Sequence, residues 1–381
     1  MNQRKELVLI ALSEGVNRRE LARRAGIAPK TLYKWLERYQ ELGEPGLQDV
    51  CRRPHHSPQR TGSGLEQRVL ELRDAHPAWG GRKLAQRLKT QGEIDVPSPS
   101  TITAILHRHG WIESAVSQQH QAWQRFEHPE PNQLWQMDFK GHVANERGRC
   151  HPLTILDDHS RFSLCLAACD NEQSSTVQQR LIEAFRRYGL PRRMTMDNGS
   201  PWGGDENGST ALTVWLMRLG IAVSHSRPYH PQTQGKDERF NRTLKAEVLQ
   251  SRRFIDNTHA QAEFDRWRQV YNTERPHEAL GLATPITRYR PSPVAYQEQL
   301  PALEYQEGDR VYKVDASARI EVKGRRYKIG KAFIGQHIAL RPSAEDGVCS
   351  LWFSRFRIGE IDLRDKIIAQ VECVTYVPEH L

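Results

Sequence analysis

The sequence predicts a multidomain α+β protein: small helical modules first, a mixed α/β core next, and a small β-barrel at the carboxy terminus. Three observations carry this expectation. At 381 residues the chain is longer than one hydrophobic core ordinarily serves, which favours two to four domains. Apolar residues recur at helical spacing from the start to Gly110, and then in strand-like runs alternating with helical ones after Leu134. Beyond Pro291, short strand-like runs are separated by glycine turns, the pattern of a small barrel.

Charge and cysteine usage narrow the class. Lys and Arg number 55 against 46 Asp and Glu, a net charge of +9, which points to a polyanionic partner or to an ordinary basic surface according to where the charge sits. The six cysteines, Cys51, Cys150, Cys165, Cys169, Cys349 and Cys373, form no C-x-x-C pair and no zinc-like set with nearby histidines. Free thiols in a reducing cytoplasm are expected. The apolar run Leu7–Leu12 is interrupted by Glu14 before a signal-peptide core is complete, and no stretch is long enough to span a bilayer. A cytoplasmic protein with access to the chromosome, and with no membrane partner, follows as the expectation.

Residues 1–50 read as a first DNA-binding module. Asn17 and Glu20 make a capping-box pattern, Leu21 and Ala25 supply a buried face, and Gly26 ends the helix. A second helix starts near Pro29 with Leu32, Trp35, Leu36 and Tyr39 on one stripe. That leaves Lys30, Thr31, Tyr33, Lys34 and Arg38 outward, as on the second helix of a helix-turn-helix entering a major groove. An ordinary helical hairpin with a solvated face is the plainer alternative. Residues 51–64 are a basic, proline-rich linker whose Arg52 and Arg53 could follow a phosphate backbone.

Helical spacing resumes over residues 65–112, with Leu65, Val69 and Leu72, then Arg82–Lys89, then Ser98–His109. A second helix-turn-helix would present Ser100, Thr101, Thr103 and His107 while burying Ile102, Ile105 and Leu106. A spacer or protein-binding role competes with it, because the charges here nearly balance. Residues 113–132 read as a polar connector.

The core is expected over residues 133–290. Strand candidates are Leu134–Phe139, Pro152–Leu156, Phe162–Ala168, Met194–Met196 and Ile221–Val223, with helices through Val177–Tyr188 and Leu212–Leu219. Asp138 interrupts an otherwise apolar strand, and a buried carboxylate needs a cation or a hydrogen-bonded partner. Asp157-Asp158 read as turn residues with Arg161 as partner. A further helix is expected to open at Glu238, burying Phe240, Leu244 and Val248, with Asn241 and Lys245 on the face of Glu238.

Taken with their flanking words, Asp138 in LWQMDF, Asp197 in MDNGSPW and Glu238 in HPQTQGKDERFNRTLKAE make the chain resemble the DDE transposases of bacterial insertion sequences and the related retroviral integrases. The stretch YNTERPHEALGLATP, Tyr271–Pro285, is similar to the segment that closes the core in the insertion-sequence branch. The resemblance implies a ribonuclease-H-like core and an SH3-like barrel. It implies Asp138, Asp197 and Glu238 as catalytic ligands of two Mg²⁺ ions, with Mn²⁺ able to substitute and no zinc. Oxygen ligands and two such ions suit in-line phosphoryl displacement without a protein nucleophile. Asp237 is the rival third carboxylate, set aside because it falls elsewhere on the helix.

The implied partner is double-stranded DNA, both the terminal inverted repeats of a mobile element and a target, gripped by at least a dimer. Asn198, Lys236, Asn241, Arg242 and Lys245 are the expected DNA contacts around the acids. Within residues 300–377, the basic hairpin carrying Lys323, Arg325 and Arg326 around Gly324 is either a phosphate-contacting edge or a charged guard on a sheet edge. The competing function is a non-catalytic, sequence-specific DNA-binding regulator on the same scaffold.

Overall fold

The computed structural model describes residues 2–49, 61–112, 127–197, 199, 201–203, 209–225, 235–250 and 252–364. Arg52, Arg53 and Asn198 lie outside the described residues, as do Cys51 and Cys373. The chain divides into two compact units, Met1–Thr61 and Gly62–Leu381.

The first unit holds α1 (Asn2–Leu12), α2 (Arg18–Arg24) and α3 (Pro29–Leu42), closed by a 3₁₀ turn at Glu44–Leu47. Val8, Ala11, Ala22, Leu32, Leu36 and Leu47 form its core. Asn17 caps α2 by accepting from the Arg19 and Glu20 N–H groups. Glu20 does not complete a box; its carboxylate pairs with Arg23 and Arg24. Ala22, rather than Leu21 or Ala25, is the fully buried residue of α2. On α3, Lys30, Tyr33 and Lys34 are exposed, while Thr31 and Arg38 are half-buried.

The second unit begins with α4 (Ser63–Ala75), α5 (Gly81–Thr90) and α6 (Pro99–Arg108) around Trp79, Leu84, Leu88, Ile102 and Leu106. Ser98 caps α6 through the Thr101 N–H. A Cβ at Gly81 would stand 2.4 Å from the Pro99 carbonyl and 2.5 Å from Thr103 Oγ1, so the close approach of α5 to α6 needs glycine. Ser100, Thr101 and His107 are exposed, and Thr103 is half-buried with its hydroxyl on the Pro99 carbonyl.

The central sheet consists of β1 (Trp135–Phe139), β2 (Val143–Asn145), β3 (Gly148–Asp157), β4 (Ser163–Cys169), β5 (Arg193–Met196) and β6 (Ala222–His225). Its order is β2-β3-β1-β5-β6, with β4 also on β3; pairs among β1 to β4 are antiparallel, and β1–β5 and β5–β6 are parallel. The period-two pattern of β1 sorts the faces. Trp135 and Met137 pack with α7 (Ser174–Tyr188) and α8 (Ala211–Arg218), burying Phe185, Leu212 and Leu216. Gln136 and Asp138 point the other way, toward α9 (Gly235–Leu244), which continues through a π-turn at Lys245–Leu249. On that side Leu156, Leu166 and Ala168 meet Phe240, Leu244 and Val248, together with Phe264 and Trp267 of α10 (Asn257–Thr273). Val270 of α10 also packs against the α4–α6 cluster, and Arg87 of α5 pairs with Glu274.

The carboxy-terminal part contains β7 (Arg310–Lys313), β8 (Arg319–Val322), β9 (Arg325–Lys328), β10 (His337–Pro342), β11 (Val348–Phe353) and β12 (Phe356–Asp362). Here the expectation needs correcting. β12-β11-β10-β7 form an open four-stranded antiparallel sheet and β8–β9 a separate hairpin, so no closed barrel forms among the described residues. A barrel needs an unbroken ladder of strand pairs, whereas β8 and β9 pair only with each other among the described strands. Ile320, Val322 and Tyr327 enter the apolar cluster under the four-stranded sheet, together with Val214, Met217 and Ala222 of the core. The multidomain α+β class otherwise stands as expected.

Candidate active site

Strand register brings the first two acids together. Trp135 pairs with Met194 and Gln136 with Thr195, an offset of 59 residues (194 minus 135). Asp138 and Asp197 are separated by the same 59 (197 minus 138), so continuing the parallel register puts them side by side where β1 and β5 end. Crevices at the carboxyl ends of parallel strands are where open α/β sheets bind ligands. Burial first, and the charge of Asp197 second, push Asp138 up to about 6.

Each acid is held by a different set of neighbours. Asp197 Oδ1 accepts the Gly199 N–H at 2.9 Å and the indole N–H of Trp202. A Cβ at Gly199 would stand 3.2 Å from Asp197 Oδ2, so this turn has little room for a side chain. Asp138 Oδ2 accepts the Asn241 amide at 3.2 Å, and the same Nδ2 donates to Asp237 Oδ2 at 2.9 Å. Thr154 Oγ1 donates toward Asp237 Oδ1 at 3.1 Å and toward the Asp138 carbonyl at 3.0 Å. Asp237 is only 1% exposed, and burial followed by the charge of Asp138 raises it well above the usual carboxylate range.

Glu238 stands on the exposed side of the first turn of α9. Among the described residues, no group of three His, Cys, Asp or Glu side chains stands close enough to hold a metal ion. Asp237, not Glu238, is the acid of α9 that contacts Asp138, through the shared Asn241 amide. The sequence carried a signal for this. Phe240, Leu244 and Val248 define the buried stripe, and three residues before Phe240 that stripe reaches Asp237.

Other expected contacts are placed differently from their sequence reading. α9 starts at Gly235 rather than at Glu238. Lys236 is turned inward, its ammonium 2.5 Å from Asp158, with relative exposures of 14% and 2% for the pair. Its charge is therefore committed within the fold rather than offered to phosphate. Asn241 is likewise buried against the two aspartates and is not on the strand-facing surface proposed for it. Arg242 and Lys245 are exposed. The Asp157-Asp158 turn is real, but both acids are buried: Asp157 accepts from Ser160 and the Asn132 N–H, and Asp158 from Gln136, the His128 N–H and Lys236. Arg161 lies 3.9 Å from the Glu127 carboxylate.

The basic hairpin forms as read, with Lys323 and Gly324 at its turn in left-handed conformation (φ 49° and 76°). Lys323, Arg325 and Arg326 are exposed, Arg325 donating to the Leu363 carbonyl and Arg326 lying 3.5 Å from Glu321.

Comparison with known proteins matches these regions one by one. Two integrase core domain profiles match residues 128–231 and 219–285, and the C-terminal domain of IS481 family transposases matches residues 309–369. A homeodomain-like domain matches residues 31–106 and a helix-turn-helix domain residues 3–55. The insertion element IS407 31.7 kDa protein of Burkholderia multivorans is 29% identical over 44% of this chain and 61% of its own length. The insertion element IS476 39.2 kDa protein of Xanthomonas euvesicatoria is 27% identical over 60% and 66%. The chain thus spans about three-fifths to two-thirds of these relatives. Among solved structures, the simian T-cell lymphotropic virus intasome matches at 18% identity over 75% of this chain and 96% of that one, with a TM-score of 0.38. The HTLV-2 integrase catalytic core domain in complex with magnesium matches at 18% over 42% and 99%, with a TM-score of 0.34. By its domains, the chain belongs to the transposase/integrase family, joining helix-turn-helix domains and an integrase core to the C-terminal domain of IS481-family transposases.

Proposed function

We propose that this chain is a DDE-type transposase that binds the ends of a mobile DNA element, cuts phosphodiester bonds there and joins the 3′-hydroxyls to target DNA. The observation that supports this most is the shared 59-residue offset that sets Asp138 beside Asp197 at the ends of β1 and β5. Two neighbouring carboxylates, one raised by burial and then by the other's charge, are a donor set suited to a hard cation. Mg²⁺ ordinarily takes one or two protein carboxylates and completes its shell with water and phosphate oxygens, so the pair fits without a closed protein cage. Asp138 and Asp197 would hold one ion, and Asp138 with Glu238 a second; Mn²⁺ would substitute.

Bound there, the metal supplies Lewis-acid stabilisation of phosphate oxygens and a more acidic water. The protein's own part is orientation: Gly199 and Trp202 fix Asp197, and Asn241 fixes Asp138. Lys30, Thr31, Tyr33, Lys34 and Arg38 on α3, Ser100, Thr101, Thr103 and His107 on α6, and the Lys323–Arg326 hairpin are the proposed DNA contacts, joined by Arg242 and Lys245 near the acids. No helix among the described residues is long and apolar enough to cross a membrane. We place the protein in the bacterial cytoplasm, on the nucleoid, acting as at least a dimer because two DNA ends must meet. Domain boundaries at 1–50, 65–112, 133–290 and 300–377 are proposed with this reading.

The test is strand transfer of terminal inverted-repeat DNA with Mg²⁺, comparing wild type with Asp138→Asn, Asp197→Asn and Glu238→Gln. Joining by wild type and loss in all three variants is expected. Equal joining by all four proteins sinks the mechanism.

A further inference from the structure

We infer that Trp202 is a positioning residue for the metal-binding carboxylates, a role that rests on the function proposed above. Trp202 is 1% exposed, although the sequence before it, Asp197 to Pro201, is polar and Trp202 lies outside the helices and strands of the described residues. Its indole N–H donates to Asp197 Oδ1, the oxygen that also takes the Gly199 N–H. Its ring stacks on Phe139, the neighbour of Asp138, with centroids 5.4 Å apart and planes 12° from parallel. One side chain thus touches the turn after β5 and the end of β1, the two places that carry the acids.

The consequence follows from the geometry of a carboxylate. With Oδ1 engaged by two N–H donors, the group cannot rotate freely about its Cβ–Cγ bond, and Oδ2 is the oxygen left to face a cation. Hydrogen bonds from outside the ligand set orient metal ligands in this way, and their loss typically weakens metal binding 10- to 100-fold. A purely structural Trp202 would need only its ring, buried with Phe139 and the rest of the main core cluster. The N–H bond to Asp197 separates the two roles.

The discriminating experiment titrates Mn²⁺ alone into the whole protein by calorimetry, without DNA, and measures thermal unfolding in parallel. Trp202→Phe keeps an aromatic ring and removes the donor. A second variant replaces Trp202 with a benzothienyl analogue, which keeps the bicyclic shape and also lacks the N–H. Both should bind Mn²⁺ about tenfold or more weakly than wild type, with the analogue unfolding at the wild-type temperature. Asp197→Asn is the control and should abolish the binding both share. Wild-type affinity in the analogue overturns this inference alone. A wild type that takes up no Mn²⁺, or an Asp197→Asn that binds as well as wild type, overturns the metal site and this inference with it.

Discussion

Two pairs of acids sit in the same sheet and have opposite surroundings. Asp157 and Asp158, at the turn after β3, are 0% and 1% exposed, yet the fold supplies donors for both: Ser160 and Asn132 for one, Gln136, His128 and Lys236 for the other. Asp138 and Asp197 have each other's charge instead: burial first and the charge of Asp197 second push Asp138 up, whereas Asp157 is raised by burial with the bonds from Ser160 and Asn132 opposing it. Burial of an acid therefore does not mark a site. An acid pair that the fold leaves short of positive charge does, because a cation from solution can complete it.

Substitution at the two pairs should separate these cases. Asp138→Asn is expected to lower strand transfer about a hundredfold or more, the scale of several kcal/mol of metal-borne stabilisation, while the metal-free protein stays at least as stable. A variant that joins DNA at wild-type rates would erase the distinction between the pairs. Asp158→Ala should do the reverse. It removes the carboxylate beside the inward Lys236 ammonium and leaves that group only its bond to the main-chain carbonyl of the same residue; breaking a buried pair typically costs about 3–5 kcal/mol, measurable by urea unfolding, whereas Mn²⁺ binding by the folded protein should survive.

The pH dependence sharpens the same contrast. The folded value of Asp138, about 6, lies above its ordinary 3.8. Its stabilising contribution is therefore fully present below about pH 4 and is lost as pH rises through about 6. Unfolding of metal-free wild type between those limits should show a loss of about 1–3 kcal/mol that Asp138→Asn does not show. Saturating Mg²⁺ should restore stability at neutral pH in the wild type only.

Much of this was legible in the sequence, for reasons that vary by residue. Asp138 announced itself as a carboxylate inside an apolar strand, and its partner Asp197 by the words around it. The inward Lys236 and Asn241 were not legible as such, because a polar residue on a helix next to a site reads as solvent- or DNA-facing unless its buried partner is known. That partner, Asp158 for one and Asp237 for the other, lies 78 and 4 residues away. β12 is hard to read in the sequence because its period of two breaks: Phe356, Gly359 and Ile361 are its buried residues, and Ile358 is only half-buried. The open sheet was read as a barrel because short strands with glycine turns are common to both.

Asp237 falls between the two pairs, and the smallest expected effect decides where it belongs. It is buried like Asp158 and takes bonds from Thr154 and Asn241, but burial and the charge of Asp138 raise it as Asp138 itself is raised. An asparagine there can still meet Thr154 and Asn241 while removing a like charge from beside Asp138. Asp237→Asn should accordingly leave the metal-free protein within about 1 kcal/mol of wild type at pH 7, on the stable side, since both hydrogen bonds are neutral ones of modest net value. The loss of stability between pH 4 and 6 should persist, because burial and the charge of Asp197 raise Asp138 whereas the Asp237 side chain lowers it. A loss of several kcal/mol, as expected for Asp158→Ala, would instead put Asp237 with the acids whose charge the fold itself requires.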